Sequence, residues 1–199
     1  MAINTTNTGV QPPQAEQTDE ELFALVQENG SERAFRELYR RYDKRLLSYC
    51  LRAFGSRDAA EDVFQSVMTL VFEKRAMFTG GSFAAWLFTI ARNQTLNAKQ
   101  KYKITTDIDD ISFALEDEGD RTGEDMILNE ALKSAIAALP EEFRDPLELK
   151  HFDGFQYEEI ATMLNISISL AKVRVFRAKK MLQQALMPYL REIHSASDD

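Results

Sequence analysis

A chain of 199 residues accommodates one or two compact domains, and its 44% hydrophobic content supports a packed core. No apolar run approaches the roughly 18–20 residues of a membrane span, and the first 17 residues lack the basic start and apolar stretch of a signal peptide. The lone Cys50 cannot form an internal disulfide, so the expected location is the cytoplasm, with no direct membrane insertion.

The formal charge of −8 argues against nucleic acid only as an average. Residues 1–30 carry −5, residues 31–102 carry +6, residues 103–125 carry −7 and residues 126–199 carry −2. Local potential, not net charge, decides where phosphates dock.

In chain order, residues 1–17 are rich in Thr, Asn, Gln and Pro and predict a disordered tail. Thr18 or Asp19 opens a short helix ending near Asn29-Gly30. Ser31 caps a long helix in which Phe35, Leu38, Tyr42, Leu46 and Leu51 keep the helical period, and Gly55 stops it. Asp58 with Glu61 predicts a capping box for the next helix, which carries Val63, Phe64, Val67, Met68 and Val71. Phe78-Thr79-Gly80-Gly81 reads as a turn, and Ser82 caps a further helix through Trp86, Leu87, Ile90 and Leu96. Residues 103–125 lack helical periodicity and are acid-rich, so a flexible linker is expected there. Helix returns over Asp125–Ala138 and breaks at Pro140. Asp145-Pro146-Leu147-Glu148 predicts an N-cap, a first-position proline and a capping-box acid, and Asp153-Gly154 ends that helix.

The segment that follows is the most telling. Ile160, Ala161 and Leu164 give a short helix one apolar face, Asn165 centres a turn, and Ser167 caps a second helix whose inward stripe is Ala171, Val175, Ala178 and Leu182. That is a helix-turn-helix, and no carboxylate occurs between Glu159 and Glu192, while Lys172, Arg174, Arg177, Lys179 and Lys180 are basic. The expected fold class is therefore all-α: two small helical domains, residues 18–102 and 126–194, joined by the linker, with a short tail over residues 195–199.

A second acid-free window runs from Lys74 to Lys103, with Phe78, Phe83, Trp86, Phe88 and Tyr102 among its bases. Such a mixture suits a groove that holds phosphates and stacks unpaired bases, while each aromatic taken alone also fits a core. On the second long helix, Asp62, Gln65, Ser66 and Thr69 lie at i, i+3, i+4 and i+7 on one polar face, which fits either a docking surface or a solvated one.

Five blocks then carry a resemblance. Ala34-Phe35-Arg36-Glu37-Leu38-Tyr39, Ala60-Glu61-Asp62-Val63-Phe64-Gln65, Phe83-Ala84-Ala85-Trp86-Leu87-Phe88-Thr89-Ile90-Ala91-Arg92-Asn93, Leu139-Pro140-Glu141-Glu142-Phe143-Arg144 and Tyr157-Glu158-Glu159-Ile160-Ala161 occur in the order and spacing of bacterial RNA polymerase sigma factors. The chain resembles the extracytoplasmic-function (ECF) type over nearly everything except the tail and the linker. The resemblance implies a non-enzymatic, cofactor-free protein that binds core RNA polymerase, reads the −10 and −35 elements of promoter DNA and promotes melting. It also brings an anti-sigma factor into the set of candidate partners.

Carried residue by residue, the resemblance implies that Asp62, Gln65, Ser66 and Thr69 meet the polymerase. It implies that Phe78, Thr79, Gly80, Gly81, Ser82, Phe83 and Asn93 hold an extruded −10 base, with Arg92, Lys99 and Lys101 on phosphates. Ser169, Lys172, Val173, Arg174, Phe176, Arg177 and Lys180 are the expected −35 set, with Arg177 the best guanine contact. The chain departs from the pattern at Ser66, where Glu is usual, and at Leu170, Ala171 and Val173, where Thr, Val and Ser are usual.

Two other readings compete. A polymerase-independent regulator would keep the helix-turn-helix and use the first domain for sensing or dimerisation. A thiol or metal enzyme would use Cys50 with His151 or His194, but these residues have no ligand spacing and no accompanying motif.

Overall fold

The computed structural model describes residues 17–105 and 123–196, which fold into eight α-helices with no strand among them. Helix α1, Asp19–Asn29, opens with a full capping box: the Thr18 hydroxyl accepts from the Glu21 amide at 3.2 Å, and the Glu21 carboxylate accepts from the Thr18 amide at 2.8 Å. Helix α2, Glu32–Phe54, begins at Ser31 and ends at Gly55, as the sequence predicts.

Helix α3, Arg57–Glu73, starts one residue before the expected box, with Ser56 as its cap and no side-chain cap bond. Asp58 therefore sits inside the first turn, where its charge still favours the positive helix end, and Glu61 pairs with Arg57 at 2.8 Å instead. A 3-10 turn, Arg75–Met77, leads to α4, Phe83–Thr105, whose start is held by Ser82 accepting from the Ala85 amide at 3.2 Å. Helix α4 runs past the expected start of the linker at residue 103. Residues 1–16, most of the expected tail, and residues 106–122, most of the expected linker, lie outside the described residues.

Helix α5 spans Gly123–Ala137 and α6 spans Glu141–His151. Here the Asp145-Pro146 expectation fails. The helix opens at Pro140, whose carbonyl accepts from the Phe143 and Arg144 amides, so Pro146 lies inside α6 and Asp145 is not a cap. The acids Glu141 and Glu142 supply the favourable first-turn charge, and burial of Leu147 and Leu149 holds the helix through its proline. Helix α7, Tyr157–Leu164, ends on Asn165 in the left-handed conformation (φ 51°). Helix α8, Ile168–Ala196, is capped by Ser167, which accepts from the Leu170 amide at 3.1 Å, and it continues beyond the expected end of the domain at residue 194.

Helices α1–α4 pack around Phe23, Leu38, Leu46, Val67, Phe83, Leu87 and Phe88, all essentially buried. Helices α5–α8 form the second unit, with α7 and α8 crossing as the helix-turn-helix. The units are packed together. The first core continues without a break into Leu149, Phe155, Ile160, Met163 and Ala171, whereas Leu139, Leu147, Val175 and Ala178 form a small separate cluster.

Candidate polymerase and nucleic-acid interfaces

The polar face of α3 lies opposite the buried Val63, Phe64, Val67 and Val71, so Asp62, Gln65, Ser66 and Thr69 are all exposed. The two hydroxyls are turned onto their own helix: Ser66 Oγ donates to the Asp62 carbonyl at 2.9 Å and Thr69 Oγ1 to the Gln65 carbonyl at 3.0 Å. Their proton is spent locally, which leaves oxygen lone pairs, one carboxylate and one amide facing outward.

The loop 78–83 is anchored at both ends. Phe78 and Phe83 are buried and join Phe23 and Trp86 in one aromatic cluster, with the Phe23 ring 5.4 Å from Phe78, 4.6 Å from Phe83 and 5.3 Å from Trp86. Gln27 of α1 donates to the Phe78 carbonyl at 2.8 Å and to the Arg75 carbonyl at 2.7 Å. The Glu20 carboxylate accepts from the Phe83 amide at 2.9 Å. Thr79, Gly80 and Gly81 are left exposed between the anchors, with φ of 111° and 86° at the glycines. No atom lies within 4 Å of a Cβ built at either glycine, so these two are required by backbone shape and not by crowding. The rings of Phe78 and Phe83 are thus scaffold, and what the loop exposes is the Thr79 side chain and the backbone of Gly80 and Gly81.

Along α4, Asn93 and Lys101 are exposed. Arg92 and Lys99 instead turn toward the second unit. Arg92 donates to Asp145 at 2.7 Å and approaches Glu141 at 3.5 Å, and burial holds the Lys99 ammonium below its usual pKa.

On α8, Ser169, Lys172, Val173, Phe176, Arg177 and Lys180 are all exposed and share one face by their spacing, while Ala171, Val175 and Ala178 are buried on the other. Phe176 is 67% exposed, which rules out a core role for its ring. Arg174 lies off this face, paired with Glu142 at 3.1 Å. Leu170 is also exposed, and so is Ile168 at the start of the helix.

Sequence reasoning missed the contacts between units: Arg52 with Asp153, Arg45 with the Asp153 backbone, and Glu148 buried between them. Cys50 is buried and its thiol is pushed up to about 12 by burial, so it stays protonated at neutral pH. Among the described residues no cluster of His, Cys, Asp and Glu has a metal-holding arrangement, and no helix is long and apolar enough to cross a membrane.

Comparison with known proteins agrees with this geometry. The family model Sigma-70 region 2 matches residues 38–103, and Sigma-70, region 4 matches residues 129–182. The chain is 31% identical over 193 residues to the RNA polymerase sigma-H factor of Pseudomonas aeruginosa, covering 89% of this chain and 98% of that protein. It is 30% identical over 191 residues to the ECF RNA polymerase sigma-E factor of Escherichia coli, covering 87% and 97%. Among solved structures it resembles the sigma factor RpoE in complex with the anti-sigma factor NepR from Bartonella quintana, with a TM-score of 0.65 and 25% identity over 77% of this chain and 96% of that one. Sigma factors are non-enzymatic and support promoter-specific initiation of transcription by RNA polymerase. The chain belongs to the sigma-70 family, as a sigma factor of the ECF type.

Proposed function

We propose that this protein docks on core RNA polymerase through the Asp62, Gln65, Ser66 and Thr69 face of α3 and positions the enzyme by reading two separate promoter elements. The carrying observation is the exposed, acid-free face of α8, where Ser169, Lys172, Val173, Phe176, Arg177 and Lys180 stand together over a buried apolar stripe. A helix of this kind enters the major groove of the −35 element, where Arg177 pairs with guanine and Phe176 meets a thymine methyl. Lys172 and Lys180 meet phosphates.

At the −10 element, the Thr79-Gly80-Gly81 backbone admits a nucleotide extruded from the stack, Asn93 reads its edge, and Lys101 holds phosphate. Arg92 and Lys99 join it when they are available. Phe78, Ser82 and Phe83 fix the loop from behind. Trapping an unstacked base favours the melted duplex, which is how such a protein promotes strand opening without catalysing a reaction.

The complex of a similar sigma factor with an anti-sigma factor supports an inhibitory partner of the same class here, acting in the cytoplasm where polymerase works. Two measurements test the reading together. Asp62→Lys should lower affinity for core polymerase in gel filtration while leaving the free protein folded. Wild-type holoenzyme should shift a promoter fragment that the free chain does not. Unchanged core binding by the variant would remove the assignment of the α3 face.

A further inference from the structure

The N-terminal half of α8 turns an apolar ridge to solvent. Leu170, Val173 and Phe176 stand at i, i+3 and i+6 and are 40%, 42% and 67% exposed. Side chains three residues apart form a continuous row along a helix. The opposite side of α8 carries the buried Ala171, Val175 and Ala178, so the ridge is no part of the core.

Its setting says what covers it. No carboxylate occurs between Glu159 and Glu192, and Lys172, Arg177, Lys179 and Lys180 are all exposed on the same helix. An apolar strip among cations is complementary to the major groove of duplex DNA. There phosphates border the base edges, and thymine adds a C5-methyl group.

The hydrogen-bonding side chains of this stretch are few, and each limits what can be read. No Asn or Gln lies between Asn165 and Gln183, so a bidentate pair with adenine is not on offer. No Asp or Glu is there to accept from the amine of cytosine. Arg174 is held by Glu142 at 3.1 Å, the Ser167 hydroxyl is committed to the Leu170 amide at 3.1 Å, and the Lys172 ammonium sits 5.7 Å from the Tyr157 ring. Arg177 can address guanine, while a serine such as Ser169 bonds several bases and selects none. What remains to tell one pyrimidine from another is the methyl group.

We propose that Leu170, Val173 and Phe176 form a methyl-reading ridge, whose ligand is a C5-methyl pyrimidine of the −35 element: thymine, and equally 5-methylcytosine. The proposal rests on the reading of α8 as the −35 helix given above. On a helix lying in the groove, residues three apart address successive bases, so the ridge covers about three base pairs. Its side chains carry no group that distinguishes the O4 atom of thymine from the N4 amine of cytosine. A cytosine under the ridge therefore fails for want of a methyl, and methylating it restores the contact. Leu170, which lies outside the expected −35 set, gains a role in specificity.

The test uses holoenzyme and the promoter that it selects best from a randomised library. Thymines of the upstream element are replaced one at a time by deoxyuridine, which removes the methyl and nothing else. Competition gel shifts read the affinity of each template. Burying one methyl group is worth about fourfold in affinity, so at least one replacement should weaken binding by about that factor. At the same position, a C·G pair should bind about fourfold more tightly once its cytosine carries the methyl. Val173→Ser and Phe176→Ser should each bring one thymine-to-uracil affinity ratio close to one. Circular dichroism checks their helix content, and gel filtration reads their oligomeric state.

Equal affinity for thymine and uracil at every position, with the upstream element still required, would overturn the ridge and leave the proposed function standing. So would variants that keep the thymine preference but change oligomeric state, because the ridge would then be a protein contact. A holoenzyme indifferent to the whole upstream element would instead sink the −35 reading, and the ridge with it.

Discussion

The two units carry their exposed surfaces on very different amounts of core. The first gathers Phe23, Phe78, Phe83 and Trp86 into one aromatic cluster and ties its glycine loop from behind with Gln27 and Glu20. Among the described residues the second has a cluster of four buried residues of its own, while its Leu149, Phe155, Ile160, Met163 and Ala171 join the core of the first unit. The contrast fits the two ways of reading DNA proposed for them. A backbone loop that must admit a nucleotide needs rigid anchors, whereas a helix face presents side chains that need only the helix beneath them.

Deleting an anchor should break the comparison most visibly. Phe23 is fully buried at the centre of the aromatic cluster, so Phe23→Ala should cost about 3–5 kcal/mol in urea unfolding. The α7–α8 pair should keep its helix content in the same variant if the second unit stands on its own, and lose it if that unit depends on the first.

A pH effect of about 3 kcal/mol is expected at Glu148. Its carboxyl is pushed up to about 7, chiefly by burial, against the opposing charges of Arg52 on α2 and Arg144 on α6. Tyr49 and Lys99 line one small cavity with it, and Asp145 and Asp153 stand nearby as like charges. The raised value means that the folded state is penalised while Glu148 is ionised, fully above pH about 7, and that the penalty fades as pH falls toward 4.5. Burial raises Asp145 and Asp153 with the same sign, while Lys99 is lowered and acts on the alkaline side. The chain should therefore gain stability to urea between pH 8 and pH 6, and Glu148→Gln should flatten that gain. A urea midpoint independent of pH in wild type would refute this.

On the other unit, Arg177→Ala should relax promoter choice at one base pair of the −35 element by about 1–3 kcal/mol without changing affinity for core polymerase. Lys180→Ala should weaken binding evenly across sequences and flatten its salt dependence. The smallest effect belongs to Thr18→Ala, which removes one arm of the α1 capping box. It should cost about 1 kcal/mol, seen as a small drop in the thermal midpoint.

Local chemistry was legible in the sequence and long-range pairing was not. Thr18, Ser31, Ser82 and Ser167 announce helix starts because a cap acts within three residues, and each is seen in that role. The exposed face of α8 was readable because it repeats with the helix. Asp145 misled for the same local reason: Asp before Pro imitates a helix start, while its actual partner, Arg92, lies 53 residues away. Arg52 and Asp153 are 101 residues apart, and nothing in their neighbourhoods marks them as a pair. Phe78 and Phe83 belong to a segment whose aromatics suit stacking or core equally well, and only Phe23 packed between them shows that their rings are scaffold.

The most direct measurement is run-off transcription with core polymerase and this chain on a library of randomised promoters, followed by sequencing of the templates used. Two selected sequence blocks about 25 base pairs apart are predicted, with the upstream block altered by Arg177→Ala and the downstream block untouched. Initiation from a single block, or no initiation that depends on this chain, would contradict the bipartite reading.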